Sequence, residues 1–209
     1  MASALAGSVY RYWLVPRSLL AAAPLQLQIA GDVVRLRALV ATDADLVYRA
    51  CLDPQIKRFT TFPEPTDIAE TRAWIQSQEY LRSRGAAIDF GIVPVGGVVI
   101  VGAIGLTSID LEERHAEIGY WIAPKMRGRG FATAALQLLS SWAFGRPLEL
   151  HRIYIYADVA NTASRRAAER AGFTFEEELP AHISAKGRRW DVARYSLASP
   201  RADDAQPGS

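Results

Sequence analysis

The chain has 209 residues, of which half are hydrophobic and 22% are charged, and its formal net charge is +2. This composition excludes wholesale disorder and low-complexity classes, because it supplies enough apolar surface to bury a core. Cys51 is the single cysteine, which excludes an internal disulfide framework and any cysteine-rich metal site. The near balance of 24 basic and 22 acidic residues argues against a nucleic-acid-binding surface.

Composition divides the chain into three segments. Residues 1–32 contain no acidic residue before Asp32 and are predicted to be an N-terminal extension, either flexible or packed on the surface. Residues 33–198 hold the predicted domain, and residues 199–209 are predicted to be a disordered, solvated tail. No apolar run is long enough to cross a membrane, so we expect a cytoplasmic protein with no membrane partner.

The first predicted elements are one strand and two helices. The strand covers residues 33–39, and the first helix runs from Thr42 through Leu52. The second helix covers residues 67–84, with Thr66 as its N-cap and Gly85 as its terminator.

A central antiparallel meander follows, because three runs rich in β-branched residues are separated by turn signals. The remaining pattern alternates helices and strands and ends with two strands. The predicted meander strands are 88–93, 98–108 and 115–122, followed by helix 133–144, strand 152–157, helix 162–171 and strands 173–178 and 190–197. The sum is a mixed α/β fold with about seven strands and about four helices on the faces of the sheet.

The turn between the last meander strand and the next helix carries the clearest chemical signal. The small residues Gly128, Gly130 and Ala132 let the backbone bend tightly and approach a ligand. The first turn of the helix that follows offers unpaired N–H groups and the positive end of the helix dipole. Arg127 and Arg129 add charge-assisted donors, which suit a pyrophosphate better than a single carboxylate.

Three other kinds of strand-to-helix turn carry glycines at similar positions. A nucleotide-hydrolase phosphate loop ends in Gly-Lys-Ser/Thr, whereas this segment reads Gly130-Phe131-Ala132. A dinucleotide fingerprint requires a third glycine where Thr133 stands, and an opening parallel βαβ unit. An ordinary strand-to-helix turn with solvent-exposed arginines stays open on the residues alone.

Three separated motifs in order resemble the GCN5-related N-acetyltransferase (GNAT) superfamily, in its RimJ/RimL-like branch of ribosomal-protein N-terminal acetyltransferases. Residues 127–132 match the family's Arg/Gln-x-x-Gly-x-Gly/Ala acetyl-CoA motif, and residues 117–122 resemble the strand before it. Residues 161–164 and 169–173 resemble the later Asn-x-x-Ser and Glu-x-x-Gly-Phe signature. The resemblance covers about residues 33–197.

The resemblance implies a mostly antiparallel sheet that is splayed in the middle, with pantetheine of acetyl-CoA in the gap and its pyrophosphate at the turn. It implies no metal. The cofactor-binding residues it implies are Tyr120, Trp121, Ile122, Arg127, Gly128, Arg129, Gly130, Phe131, Ala132, Thr133 and Asn161.

Two residues are the candidates for acid–base chemistry. Glu117 lies on the strand that leads to the gap and is the candidate base, although it could instead pair with a neighbouring arginine. The resemblance implies that Ser164 is the candidate acid for the departing thiolate, because a serine near the cofactor sulfur takes this role in the ribosomal-protein branch, whereas Ala168 stands where many other family members have a tyrosine. Ser164 could instead serve only the first turn of the helix that Asn161 caps.

Two connections are candidates for acceptor contact. Residues 59–65 form an apolar, proline-stiffened loop, and the resemblance implies that Phe59 and Phe62 there cover the acceptor. Residues 186–191 resemble the family's hairpin on the opposite side of the entrance. The alternative is that both are ordinary surface connections.

The sequence thus predicts an acetyl-CoA-dependent N-acetyltransferase that acts on a primary amine by direct attack in a ternary complex. A protein N-terminus is the candidate acceptor, and the family implies a monomer or homodimer. Two alternatives stay open: a small amine such as a polyamine, amino acid or aminoglycoside as acceptor, or a non-catalytic acyl-CoA-binding protein.

Overall fold

The computed structural model describes residues 28–62, 64–65, 67–83 and 87–200. They form an eight-stranded sheet with helices on both faces. The strands are β1 (Gln28–Ala30), β2 (Val34–Ala38), β3 (Ala87–Pro94), β4 (Gly102–Asp110), β5 (His115–Ile122), β6 (Arg152–Asp158), β7 (Thr174–Ala185) and β8 (Arg188–Ala198). The helices are α1 (Ala44–Cys51), α2 (Pro54–Phe59), α3 (Ile68–Ser83), α4 (Phe131–Phe144) and α5 (Thr162–Arg170).

The strand order is β1-β2-β3-β4-β5-β6-β8-β7, and all neighbours are antiparallel except β5 and β6. Apart from Asp89, the central strand β3 is apolar along its whole length because helices cover both faces of the sheet. On one face, α4 packs its buried Leu136 and Leu139 into the larger core. On the other face, Val47 of α1 and Ile75 of α3 pack near Trp121 in a smaller core.

The sheet separates in its middle, between β5 and β6. These two strands pair only over three residues, His115–Glu117 against Arg152–Tyr154. Beyond Glu117, the remaining residues of β5 continue to pair with β4 on their other side. The backbone of β5 from residue 118 therefore has a free edge along the gap, and the predicted splay is confirmed.

The mixed sheet and the meander are confirmed, but the strand count of about seven is low by one. The additional strand β1 lies inside the predicted extension 1–32 and pairs Ile29 with Leu36 of β2. At the other end, the backbone N–H of Ser199 donates to the carbonyl of His151 at 2.8 Å, and Ser199 is buried, so the ordered chain enters the predicted tail.

One short helix was missed. The sequence predicts no helix between Leu52 and residue 67, whereas Pro54 occupies the first turn of α2, where a missing N–H costs nothing. Asp53 caps this helix, since its side chain accepts from the backbone N–H of Ile56 at 3.0 Å. The predicted start of the first helix at Thr42 falls in a 3₁₀ turn, and α1 begins at Ala44.

Other boundaries also differ. The predicted strand 98–108 begins only at Gly102, because Val98 and Val99 are exposed in the β3–β4 connection. The helix predicted from Thr133 begins two residues earlier, at Phe131. The proposed caps Thr66 and Gly85 lie outside the described residues. None of the described helices is both long and apolar enough to cross a membrane.

Candidate active site

A cleft of about 1920 Å³ lies where β5 and β6 separate. The walls come from α2 and α3 on one side and from α5 on the other, and the floor comes from β3, β4 and β5. The turn before α4 opens into one end, and the β7–β8 hairpin borders another. Within the described residues, no group of three or more His, Cys, Asp or Glu side chains is placed to hold a metal ion.

The turn before α4 has the backbone geometry of an anion cradle. Gly128 and Gly130 have φ of 75° and 80°, in the left-handed region that favours glycine. A Cβ at either position would meet no atom within 4 Å, so their backbone is open to a ligand. Thr133 lines the cleft in the first turn of α4, and its buried hydroxyl has no hydrogen-bond partner among the described residues. These features fit the pyrophosphate of acetyl-CoA.

Arg127 forms hydrogen bonds to protein groups, whereas the sequence predicted that it binds the pyrophosphate. Its guanidinium donates to Asp53 at 2.6 Å, to Gln55 at 2.7 Å and to the carbonyl of Ile122 at 3.1 Å. Burial opposes ionisation of Asp53, but the hydrogen bonds from Arg127 and from the helix backbone outweigh it and hold the pKa of Asp53 below its ordinary value. Arg127 therefore ties the end of β5 to α2, and Arg129 is the exposed arginine of the turn.

Glu117 stands at the last residue of the short β5–β6 pairing, where the gap begins. Burial raises its pKa above the ordinary value, while the Ser108 hydroxyl and the imidazoles of His182 and His115 oppose that rise. The alternative that Glu117 pairs with an arginine is not observed, since no ion pair to it occurs among the described residues. Its carboxylate is thus partly desolvated and lines the cleft.

Ser164 lies across the gap on α5. Its backbone N–H donates to the side chain of Asn161 at 3.1 Å, so Asn161 caps the helix as predicted. The hydroxyl of Ser164 is hydrogen-bonded to the hydroxyl of Tyr120 at 2.8 Å. Burial raises the pKa of Tyr120 to about 12, although the bond to Ser164 opposes the rise, so Tyr120 stays protonated. Sequence reasoning missed this pair, and Ala168 is fully buried behind it.

Strand alternation places these groups on opposite faces of β5. Glu117, Gly119 and Trp121 face α2 and α3, whereas Tyr120 faces α5. An amine entering from the Glu117 side and a thiol leaving on the Ser164 side would therefore meet in the gap. Phe131 and Ala132 begin α4 beside it.

The loop that precedes α3 closes the Glu117 side. The ring of Phe62 packs edge-to-face on Trp74 at 4.7 Å and on Trp121 at 6.0 Å between ring centroids. Phe59 lines the same cleft, with the Arg58 guanidinium 4.9 Å above its ring. Both predicted acceptor residues thus border the cleft, and Phe62 reaches β5 itself.

The β7–β8 hairpin contacts that loop from across the entrance. Lys186 forms an ion pair with Glu64 at 3.1 Å and donates to the carbonyl of Lys57 at 3.2 Å. Arg188 donates to the carbonyl of Arg58. The two predicted entrance segments therefore contact each other across the entrance.

Asp89 is the cleft residue that sequence reasoning missed. It comes from β3, and its Oδ1 lies 2.2 Å from where a Cβ on Gly105 of β4 would stand. Burial raises the pKa of Asp89 to about 7. The available signal was one acid inside an otherwise apolar strand, between Ile88 and Phe90.

Comparisons with known proteins agree with this geometry. Residues 34–174 match the family model described as an acetyltransferase (GNAT) domain. The chain is 33% identical over 162 residues to the protein named "Uncharacterized N-acetyltransferase p20" of Bacillus licheniformis, covering 78% of this chain and 90% of that protein. A RimL ribosomal L7/L12 α-N-protein acetyltransferase in complex with coenzyme A has 25% identity and a TM-score of 0.72, covering 82% of this chain and 97% of that chain.

Two further relatives match over about half of this chain. The ribosomal-protein-serine acetyltransferase of Escherichia coli is 34% identical over 51% of this chain and 58% of its own length. The spermidine N(1)-acetyltransferase of Vibrio cholerae is 34% identical over 48% of this chain and 58% of its own length. These similarities support an enzyme rather than the non-catalytic acyl-CoA-binding alternative. The chain belongs to the GNAT acetyltransferase family and is an N-acetyltransferase.

Proposed function

We propose that this N-acetyltransferase transfers the acetyl group of acetyl-CoA to the α-amine of a protein N-terminus. The observation that carries the proposal is the gap that opens between β5 and β6 directly after Glu117, with the glycine turn at its far end. Acetyl-CoA is an extended thioester carrier with a charged diphosphate, so its binding needs a gap that leads to an anion-binding turn.

The residues of the turn would hold the carrier's pyrophosphate. Backbone N–H groups from Gly128 to Gly130 and from the first turn of α4 are its donors, and Thr133 adds a hydroxyl. Arg129 is the charged side chain free to approach the phosphates. The free edge of β5 from Tyr120 to Ile122 would pair with the pantetheine amides.

The acceptor nitrogen attacks the thioester carbonyl from the Glu117 side. Glu117 accepts one proton from the ammonium form, the new N–C bond forms, and the C–S bond breaks. Ser164 gives a proton to the leaving sulfur, and the second proton of the amine replaces it. The products are the acetylated amine, free CoA thiol and one proton released to solvent.

Tyr120 positions the proposed acid. A hydroxyl at 2.8 Å fixes the Ser164 rotamer, and a phenol whose pKa is raised to about 12 remains a donor throughout the reaction. A neutral donor beside Ser164 stabilises any negative charge that develops there when its proton leaves.

An α-amine is the easier acceptor on chemical grounds, because its pKa of about 8 is well below the pKa of about 10.4 of a lysine side chain. The RimL structure is named as an α-N-protein acetyltransferase, which is the same acceptor class. The test is incubation of the purified protein and acetyl-CoA with peptides that begin with serine, followed by mass spectrometry. We expect one acetyl group on the α-amine. Acetylation of lysine or of spermidine alone would overturn the proposal.

A polyamine is the second candidate acceptor. Two observations favour it: the carboxylates of Asp89 and Glu117, neither of which forms an ion pair with the described residues, line one cleft, and one relative is named for spermidine. Spermidine belongs in the same substrate panel at the same concentrations. A kcat/KM for spermidine above that for every peptide would select this candidate.

A further inference from the structure

The cleft floor contains two neighbouring glycines that differ in what lies above them. Gly105 of β4 and Gly119 of β5 are paired in register. A Cβ on Gly105 would clash with Asp89, whereas a Cβ on Gly119 would meet nothing within 4 Å. One glycine is therefore covered by a carboxylate, and the other is an open floor beside it.

The carboxylate of Asp89 leans from β3 across β4 toward β5. Asp89 pairs with Gly105 in register. Its Oδ1 lies 2.2 Å from where a Cβ on Gly105 would stand, so the carboxylate lies over β4. Its side chain has no hydrogen bond or ion pair among the described residues. A half-buried carboxylate without a partner among the described residues costs free energy, which a binding role explains. Its pKa of about 7 has the same origin.

The open floor at Gly119 is enclosed on three sides. Glu117 and Trp121 are the same-face neighbours of Gly119 along β5, and Asp89 stands on the β4 side. Trp121 is 5% exposed and closed over by Phe62. Two carboxylates that form no ion pair with the described residues border this small open space, which fits a cationic group on a narrow stem.

We propose that Asp89 binds the acceptor's ammonium group over Gly119 and thereby places its nitrogen beside Glu117. This inference rests on the proposed function and assigns the two carboxylates separate tasks: Asp89 binds, and Glu117 accepts the proton. The ligand chemistry is a primary ammonium group, which peptide N-termini and polyamines share.

Three variants test this inference with a serine-initiated peptide as the probe. Asp89→Asn removes the charge, and we expect the KM for the peptide to rise at least about tenfold with a much smaller change in kcat. Gly119→Ala places a methyl group on the open floor and has the same expected effect, while the melting temperature is unchanged. Asp45→Asn is the matched control, because Asp45 is an exposed aspartate paired with Arg49.

A structural role for Asp89 would not reproduce this pattern. It would lower the melting temperature or weaken acetyl-CoA binding, whereas we expect calorimetry to give unchanged acetyl-CoA affinity in Asp89→Asn and Gly119→Ala. Asp89→Glu keeps the charge, so its KM for the peptide should be lower than that of Asp89→Asn.

The outcomes separate this inference from the proposed function. Peptide acetylation by the wild-type protein with an unchanged peptide KM in both variants would overturn the inference alone. Acetylation of spermidine but no peptide would overturn the proposed acceptor, and the same KM increases measured with spermidine would then uphold the ammonium site. A protein that acetylates neither probe would overturn both.

Discussion

The two ends of the cleft are built in opposite ways. The phosphate end is one contiguous turn, with Gly128 and Gly130 held in left-handed conformations and Arg127 tied by hydrogen bonds to Asp53. The acceptor end is assembled from three strands, and its carboxylates Asp89 and Glu117 have no ion-pair partner among the described residues. The first end adds to stability, and the second reduces it.

This contrast explains which features can vary within the fold. A phosphate-binding turn depends on backbone conformation, so it requires particular small residues at fixed spacing. An acceptor floor depends on which side chains the strand register brings together, so one substitution on β3 or β5 can change the ligand without disturbing the turn.

The largest effect should follow from a charge at the phosphate end. Gly130→Asp puts a carboxylate where the pyrophosphate binds, and we expect acetyl-CoA affinity to fall about 1000-fold, or about 4 kcal/mol. Gly96→Asp is the matched control, because Gly96 also has a positive φ, of 78°, and open space around it, but lies in the β3–β4 turn. Calorimetry with acetyl-CoA measures both. Equal affinities would place the carrier elsewhere.

The next effect concerns proton removal at the acceptor end. Glu117→Gln should lower kcat about 100-fold at neutral pH while acetyl-CoA affinity is unchanged. Wild-type kcat should fall as the pH is lowered through the raised pKa of Glu117, because protonation removes the base. The variant should lose this dependence. A wild-type pH profile preserved in Glu117→Gln would assign the base to another group.

A smaller effect should follow from removing the proposed acid. Ser164→Ala should lower kcat about tenfold, because the thiolate must then leave unprotonated or take a proton from water. Tyr120→Phe keeps the ring and removes only the hydroxyl that positions Ser164, so its effect should be smaller. Single-turnover rates compare the two. Full activity of Ser164→Ala would exclude this serine as the acid.

The two arginines of the turn should have separable effects. Arg127→Ala breaks the link between β5 and α2 and should cost about 1 kcal/mol, which lowers the melting temperature by about 2–4 °C. Arg129→Ala should weaken acetyl-CoA binding and leave the melting temperature unchanged, because Arg129 is exposed. If Arg127→Ala instead weakened acetyl-CoA binding without lowering the melting temperature, Arg127 would leave Asp53 when the carrier binds.

The sequence predicted the contiguous features well. Strand 115–122 agrees with the structure, and the turn that follows it has the left-handed glycines that its spacing required. The role of Asn161 as a helix cap was also predicted correctly, because a cap is a contact between residues three apart. The mixed sheet was predicted from alternating hydrophobic patterns, though one short strand was missed.

Contacts between distant residues could not be read in the same way. The bond from Arg127 to Asp53 joins residues 74 apart, and the one between Ser164 and Tyr120 joins residues 44 apart. The position of Asp89 over Gly105 could not be predicted for the same reason, since only the strand register shows it. Periodicity predicts which face a residue takes, but not which strand lies beside it.

The smallest effect should reveal the stability cost of the acceptor end. The folded-state pKa of Asp89 is raised to about 7 from 3.8, so the folded protein keeps a proton that the unfolded chain has already lost. The stability that this proton provides is present at low pH and lost as the pH rises through 7. Relative to wild type, Asp89→Asn should therefore gain about 0.8 kcal/mol of unfolding free energy between pH 6.5 and pH 8. Urea unfolding at both values measures it, and a pH-independent difference would mean that Asp89 is not desolvated.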